Sequence, residues 1–290
     1  MLRRPVKFWR RIVTTGTLGV VGLGVYLGEI TLRLPRRPMP SGPPPTPWEE
    51  TQIRSADGLV LRGWFARGSR PDAVIVLHGQ TDNRLGAAGF ARLFLQHGFS
   101  VLAPDLRAHG SSGGELCTYG FREVDDIRRW TSWLESKGVQ RFFGFGESMG
   151  GAILLQALPV EPRLAAVVVE APFATLREIA YDRISSRFGS RPWPGRTFLR
   201  PILETAFLYS RLVYSVPLDR VSPEDAVAAS LAPVLLINGS QDPNTPIRHA
   251  RRIASRRPGV TVWEIDGAGH TGAWAAAPAE FERRVVEWFK

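Results

Sequence analysis

Gly146-Glu147-Ser148-Met149-Gly150-Gly151, entered from the apolar run Phe142–Phe145 and left through the apolar stretch Ala152–Leu158, decides how this chain is read. A strand that turns straight into a helix forces the residue at the corner into a sparsely populated backbone conformation, and small neighbours let the flanking segments approach it. The corner lifts the Ser148 hydroxyl off the strand end, where the helix start aims free N–H groups and partial positive charge. Ser148 is the candidate nucleophile, and the backbone N–H of Met149 a candidate donor to an oxyanion formed beside it.

A serine hydroxyl needs a base at neutral pH, and that base needs a carboxylate to fix its tautomer. Further along, the apolar run Val234–Ile237 leads into Asn238-Gly239-Ser240-Gln241-Asp242, which places Asp242 at the carboxyl edge of the same sheet. After another apolar run, Val260–Ile265, the loop Asp266-Gly267-Ala268-Gly269-His270 carries the last histidine of the chain toward that edge. Ser148, Asp242 and His270 are therefore expected as nucleophile, orienting acid and general base.

Further buried strands are expected at Ala73–Leu77, Ser100–Pro104 and Leu164–Val169, with helix-period segments between them. Phe121–Ser136 carries Phe121, Val124, Ile127, Trp130 and Leu134 at steps of three or four, the pattern of a helix with one buried face. Alternation of strand and helix implies an α/β fold with a mostly parallel central sheet and helices on both faces. Two runs flanking Asp57-Gly58 predict an opening β-hairpin. The interval of about sixty residues from Phe173 to Ser230 is too long for a crossover and is expected to be a helical cap insertion, about 173–230. Its aromatic residues Phe173, Tyr181, Phe188, Trp193, Phe198, Phe207, Tyr209 and Tyr214 could line an acyl pocket or form the cap's own core, and the core reading is favoured for most of them.

The order Ser148, Asp242, His270, together with the elbow, resembles the α/β-hydrolase superfamily from about Glu49 to Lys290, and is similar in particular to its serine aminopeptidase-like branch, with the membrane-anchored Bem-type hydrolases. The resemblance implies that the backbone N–H of Gln80, in His78-Gly79-Gln80 after the Ala73–Leu77 strand, is the second oxyanion donor beside Met149. It also implies a bracing role for the loop Asp105–Gly113, including His109, and a structural one for His78. His97 and His249 fall on expected helices away from the strand ends. No metal and no cofactor are expected. The activity implied is hydrolysis of a small-molecule acyl substrate, a carboxylic ester that is apolar or amphipathic, through an acyl-enzyme. Amide, peptide or thioester hydrolysis and acyl transfer would use the same machinery, and a non-catalytic scaffold would have no reason to carry all of it.

The chain has 290 residues and a formal net charge of +10, which raises the question of nucleic-acid binding. Residues 1–37 hold Arg3, Arg4, Lys7, Arg10, Arg11, Arg33, Arg36 and Arg37 against one acid, Glu29, so the remaining 253 residues carry only about +3. No nucleic-acid partner is expected. Between Arg11 and Glu29 lie 17 uncharged residues, Ile12–Gly28, with more basic residues before than after them. Residues 1–34 are thus expected to form a basic segment and transmembrane signal anchor, N-terminus cytoplasmic and main domain outside. A cleaved signal peptide with a secreted product, and a helix packed on the domain, are the alternatives; the usual Ala-x-Ala site is missing, since no alanine precedes Ala56. Seven of the fourteen residues from Leu34 to Pro47 are proline, so 35–47 is expected to be a semi-rigid linker to a hydrolase domain at 48–290. Cys117 is the only cysteine, which excludes an intrachain disulfide and a thiolate metal cluster. Oligomeric state is not legible at this level.

Overall fold

Eight strands form one sheet in the computed structural model, which describes residues 4–42, 44–187, 189 and 193–290. The strands are β1 (Glu49–Arg54), β2 (Val60–Ala66), β3 (Asp72–Leu77), β4 (Ser100–Pro104), β5 (Arg141–Glu147), β6 (Leu164–Glu170), β7 (Val234–Gly239) and β8 (Val260–Ile265). The helices are α1 (Arg4–Leu32), α2 (Ala88–Gln96), α3 (Glu123–Ser136), α4 (Met149–Ala157), α5 (Leu176–Ser186), α6 (Trp193–Arg196), α7 (Arg200–Tyr214), α8 (Pro223–Ala228), α9 (Arg248–Ala254), α10 (Ala273–Ala276) and α11 (Pro278–Trp288). The strand order is β1-β2-β4-β3-β5-β6-β7-β8, with β1 and β2 antiparallel as a hairpin and β3 to β8 parallel. This is the expected α/β-hydrolase architecture.

The apolar runs are continuous rather than alternating because both faces of the sheet are covered. In β3, Ala73, Ile75 and Leu77 join a core with α3, α4, α8 and α9, while Val74 and Val76 join another with α2 and α11. Two expectations need correction. Strand β8 is half exposed, not buried, because it is the last strand of the sheet and has a neighbour on one side only. Helix α3 begins at Glu123, and Phe121 is exposed: the Glu123 carboxylate accepts from the amides of Thr118 and Gly120, both at 2.8 Å, and so fixes a turn ahead of the helix.

Helices α5 to α8 occupy the interval between β6 and β7. Helix α8 packs against α4 and α9 as the crossover helix of the body, so the inserted cap proper is α5 to α7, narrower than 173–230. Of the cap aromatics, Phe173, Tyr181 and Phe207 are buried, Trp193 and Phe198 are exposed, and Phe188 lies outside the described residues.

Helix α1 is longer than its uncharged segment. Over Phe8–Leu32 it is long and apolar enough to cross a membrane or to serve as a signal sequence. Its second half also packs along cap helix α7, an arrangement the sequence offers only as an alternative to the anchor. The helices run in the same direction, Gly24 against Ile202 and Thr205, and Gly28 against Ala206 and Tyr209. A Cβ on Gly24 would stand 2.5 Å from the Thr205 Cβ, and one on Gly28 2.7 Å from Tyr209 Cδ1. This Gly-x-x-x-Gly pair therefore lets two backbones approach as in membrane helix pairs. The lone acid Glu29 accepts hydrogen bonds from the Tyr209 and Tyr214 hydroxyls and pairs with Arg33 at 3.1 Å.

The linker does not hold α1 away from the body. Arg36 donates to the Ser112 carbonyl at 2.6 Å and to that of Gly114, and Arg37 pairs with Asp82 at 2.6 Å. Replacing Gly24 by leucine is expected to separate α1 from α7 at a cost of ~1 to 3 kcal/mol. Faster amide exchange across Arg200–Tyr214 in that variant would report the separation, and unchanged exchange would contradict the docking.

Candidate active site

Gln80, Ser148, Met149, Asp242 and His270 follow the carboxyl ends of the parallel strands β3, β5, β7 and β8, as chain order and strand direction require. Ser148 occupies the corner between β5 and α4 with φ 49° and ψ −113°. Its amide donates to the Glu170 carbonyl at 2.7 Å, tying the corner to β6. The corner depends on glycine: a Cβ on Gly146 would lie 2.6 Å from the Gly151 nitrogen, and one on Gly150 2.5 Å from the His78 carbonyl oxygen. Thr81, Ala171 and Thr271, each just past a strand end at this edge, also have positive φ. Strain thus collects where the loops converge.

The structure brings Ser148, His270 and Asp242 into one line. His270 Nε2 is 3.1 Å from Ser148 Oγ, and His270 Nδ1 is 2.7 Å from Asp242 Oδ2. Asp242 Oδ1 accepts from the amides of Asn244 at 2.8 Å and Thr245 at 2.9 Å, which leaves Oδ2 for the imidazole. With Nδ1–H donated to the carboxylate, Nε2 presents its lone pair to the hydroxyl.

The Gly79-Gln80 turn lies beside the corner: a Cβ on Gly79 would be 3.8 Å from Ser148 Cβ. The Gln80 and Met149 amides are thus on the two segments that flank Ser148. His78 holds the first of these. Its Nδ1–H donates to the Gly79 carbonyl at 2.8 Å and its Nε2 accepts from the Leu106 amide at 3.1 Å, while burial lowers its pKa to about 3 and keeps it neutral. Asp105 accepts from the amides of Arg84 and Ser111, and His109 Nδ1 contacts the Arg107 carbonyl at 2.9 Å, so this loop is internally braced. His97 stands apart, paired with Glu282. His249 is fully buried; it accepts from the Ala174 amide and donates to Asp182, joining α9 to cap helix α5. No cluster of metal-ligating side chains is present among the described residues.

Two acids beside the site had no role in the sequence reading. Glu170 ends β6, accepts from the Ala273 amide at 2.8 Å, and has its pKa raised to about 7 by burial. Glu147, just before the serine, is raised to about 8 by burial and by Glu170. The available signal for Glu170 was a carboxylate at a strand's carboxyl end. Both hold a proton in the folded state at pH values where the unfolded chain, with ordinary glutamate pKa values, has lost it. The stability each contributes is therefore full below about pH 4.5 and declines as pH rises toward 7 and 8, at up to about 1.4 kcal/mol per pH unit per group. Glu147→Gln/Glu170→Gln is expected to flatten the fall of Tm between pH 5 and 8; an unaltered slope would assign that dependence to other groups.

An open cavity of about 550 Å³ surrounds the serine, lined by Gln80, Glu147, Ser148, Arg183, Asn244 and His270 among others. Residues 74–284 match the Alpha/beta hydrolase family, and the chain belongs to that family of hydrolases. It is similar to the uncharacterized protein YqkD of Bacillus subtilis, 31% identical over 242 residues that cover 82% of this chain and 77% of that one. It is also 29% identical to the uncharacterized protein Rv2307c of Mycobacterium tuberculosis over 244 residues, covering 80% and 76% of the two chains. Among solved structures, the Pyrococcus furiosus esterase Pf2001 superposes with a TM-score of 0.70 at 24% identity, covering 90% of this chain and 98% of the esterase, a likeness of fold.

Proposed function

We propose that this chain is a serine hydrolase that cleaves carboxylic esters through an acyl-Ser148 intermediate. The observation that carries the reading is the line from Ser148 Oγ through His270 to the doubly anchored Asp242 carboxylate. Ser148 attacks the carbonyl carbon as His270 Nε2 takes its proton, and Asp242 stabilises the resulting imidazolium. The Gln80 and Met149 amides receive the oxyanion. Collapse expels the alcohol, which leaves with the proton from His270, and water then repeats the sequence on the acyl-enzyme. A fluorophosphonate probe is expected to label the wild type and not Ser148→Ala; folded wild type that resists the probe would sink the proposal.

We read α1 as an uncleaved signal anchor, with its basic N-terminal end on the cytoplasmic side and the hydrolase domain outside. Support comes from Lys7, Arg10 and Arg11 ahead of the apolar segment and from the docking of residues 24–32 on the cap. Fractionation decides this. The full chain should resist carbonate extraction from membranes, and recovery of a shortened soluble form would indicate cleavage instead.

A further inference from the structure

We propose that α1 is a wall of the substrate site as well as an anchor: the enzyme takes a single-chain acyl ester resident in the bilayer, whose tail lies between α1 and the cap. This rests on the serine-hydrolase and anchor readings above and specifies their substrate.

A second cavity of about 320 Å³ adjoins the one around Ser148, and the two share Gln80, Arg183 and Arg187 as lining residues. Its walls are largely apolar. Leu27 and Ile30 of α1 face Ile179, Ile184, Leu203 and Phe207 of the cap. The volume is at the low end of small-ligand sites, suited to one acyl chain rather than two. An ester carbonyl at Ser148 would send its tail past Gln80 into this space.

Position along α1 ties the cavity to lipid. A hydrocarbon core of ~30 Å needs ~20 helical residues. The uncharged segment that follows Arg11, Ile12–Gly28, ends at Leu27 and Gly28, the first α1 residues lining the cavity. Ile30 lines the cavity yet is 45% exposed, so it stands at an opening. Because α7 runs parallel to α1, α6 and the turn into α7 lie toward the bare part of α1, where Trp193 and Phe198 are both more than half exposed. Such aromatic residues suit a membrane interface.

Helix α1 is also linked to the proposed oxyanion turn. The Gln80 side-chain amide donates to the Tyr119 hydroxyl at 3.1 Å, and that hydroxyl donates to the Thr31 carbonyl at 3.0 Å. From the other side, Arg183 of the cap donates to Gln80 Oε1 at 2.8 Å. The neck between the cavities is therefore held jointly by α1, the cap and the body.

The test uses the full chain in phosphatidylcholine vesicles and the 4-nitrophenyl esters of butyrate and decanoate. Wild type is expected to favour decanoate. Leu27→Trp, which fills the cavity, should lower the decanoate-to-butyrate ratio of kcat/KM at least tenfold, and Ile30→Trp at the opening should lower it in the same direction. Val21→Trp, on the exposed face of α1, should leave the ratio as in wild type. Fluorophosphonate labelling in parallel shows that Ser148 is competent in each variant. Labelled variants with ratios within twofold of wild type would overturn the inference and leave the serine-hydrolase reading standing, whereas an unlabelled wild type overturns that reading itself. With 1-oleoylglycerol at fixed total concentration, added phospholipid should slow hydrolysis by diluting the ester within the bilayer; a rate indifferent to that dilution would contradict entry from the membrane.

Discussion

Ser148→Ala is expected to reduce ester turnover by ~10⁴- to 10⁶-fold with little effect on stability. The Ser148 hydroxyl has His270 Nε2 as its hydrogen-bond partner, so its removal leaves no other side chain unpaired. Alanine tolerates the corner, since Ala108 and Ala171 already sit at φ 60° and 52° in this protein. The measurement is kcat on a short activated ester, alongside Tm. A loss of less than tenfold in a folded variant would show that some other group makes the acyl bond.

Asp242→Asn should cost about 10⁴-fold in kcat near neutral pH while preserving the fold. The asparagine carbonyl can still accept from the Asn244 and Thr245 amides, so the loop keeps its anchor. The other end of the side chain changes from acceptor to donor. It then faces His270 Nδ1 with an N–H, which requires Nδ1 to accept and moves the ring proton to Nε2, against Ser148. A base already protonated on the reactive nitrogen cannot take the serine proton. Fluorophosphonate labelling should slow in parallel with turnover. A loss below tenfold would mean that another carboxylate orients the imidazole, and Glu170, buried at the end of β6 where it accepts from the Ala273 amide, would be the one to replace next.

The candidate site was legible because each member sits in a local signal. Apolar runs mark strands that must be buried on both faces, and strand direction sends the loop after each run to the same edge. Gly146 and Gly150 mark a corner that only small residues permit. Phe121 fits the helical period yet lies ahead of the helix, because periodicity locates a helical face but not where the helix begins, and Glu123 sets that by binding the amides before it. The half-exposed β8 reads from sequence like an interior strand, because its apolar run does not reveal that nothing pairs with its outer edge.

By itself, then, the sequence determined the alternation of strands and helices, the elbow at Ser148, the placement of Asp242 and His270 at one edge, and an apolar N-terminal helix flanked by basic residues. Those features follow from interactions between near neighbours in the chain. Tertiary structure alone decided what that helix touches. The hydrogen bonds from Tyr209 and Tyr214 to Glu29, and from Tyr119 to Thr31, join residues roughly 90 to 185 positions apart, a separation at which no periodicity carries information. The cavity beside Ser148 has the same origin, since α1 and the cap each contribute a wall and neither encloses it alone.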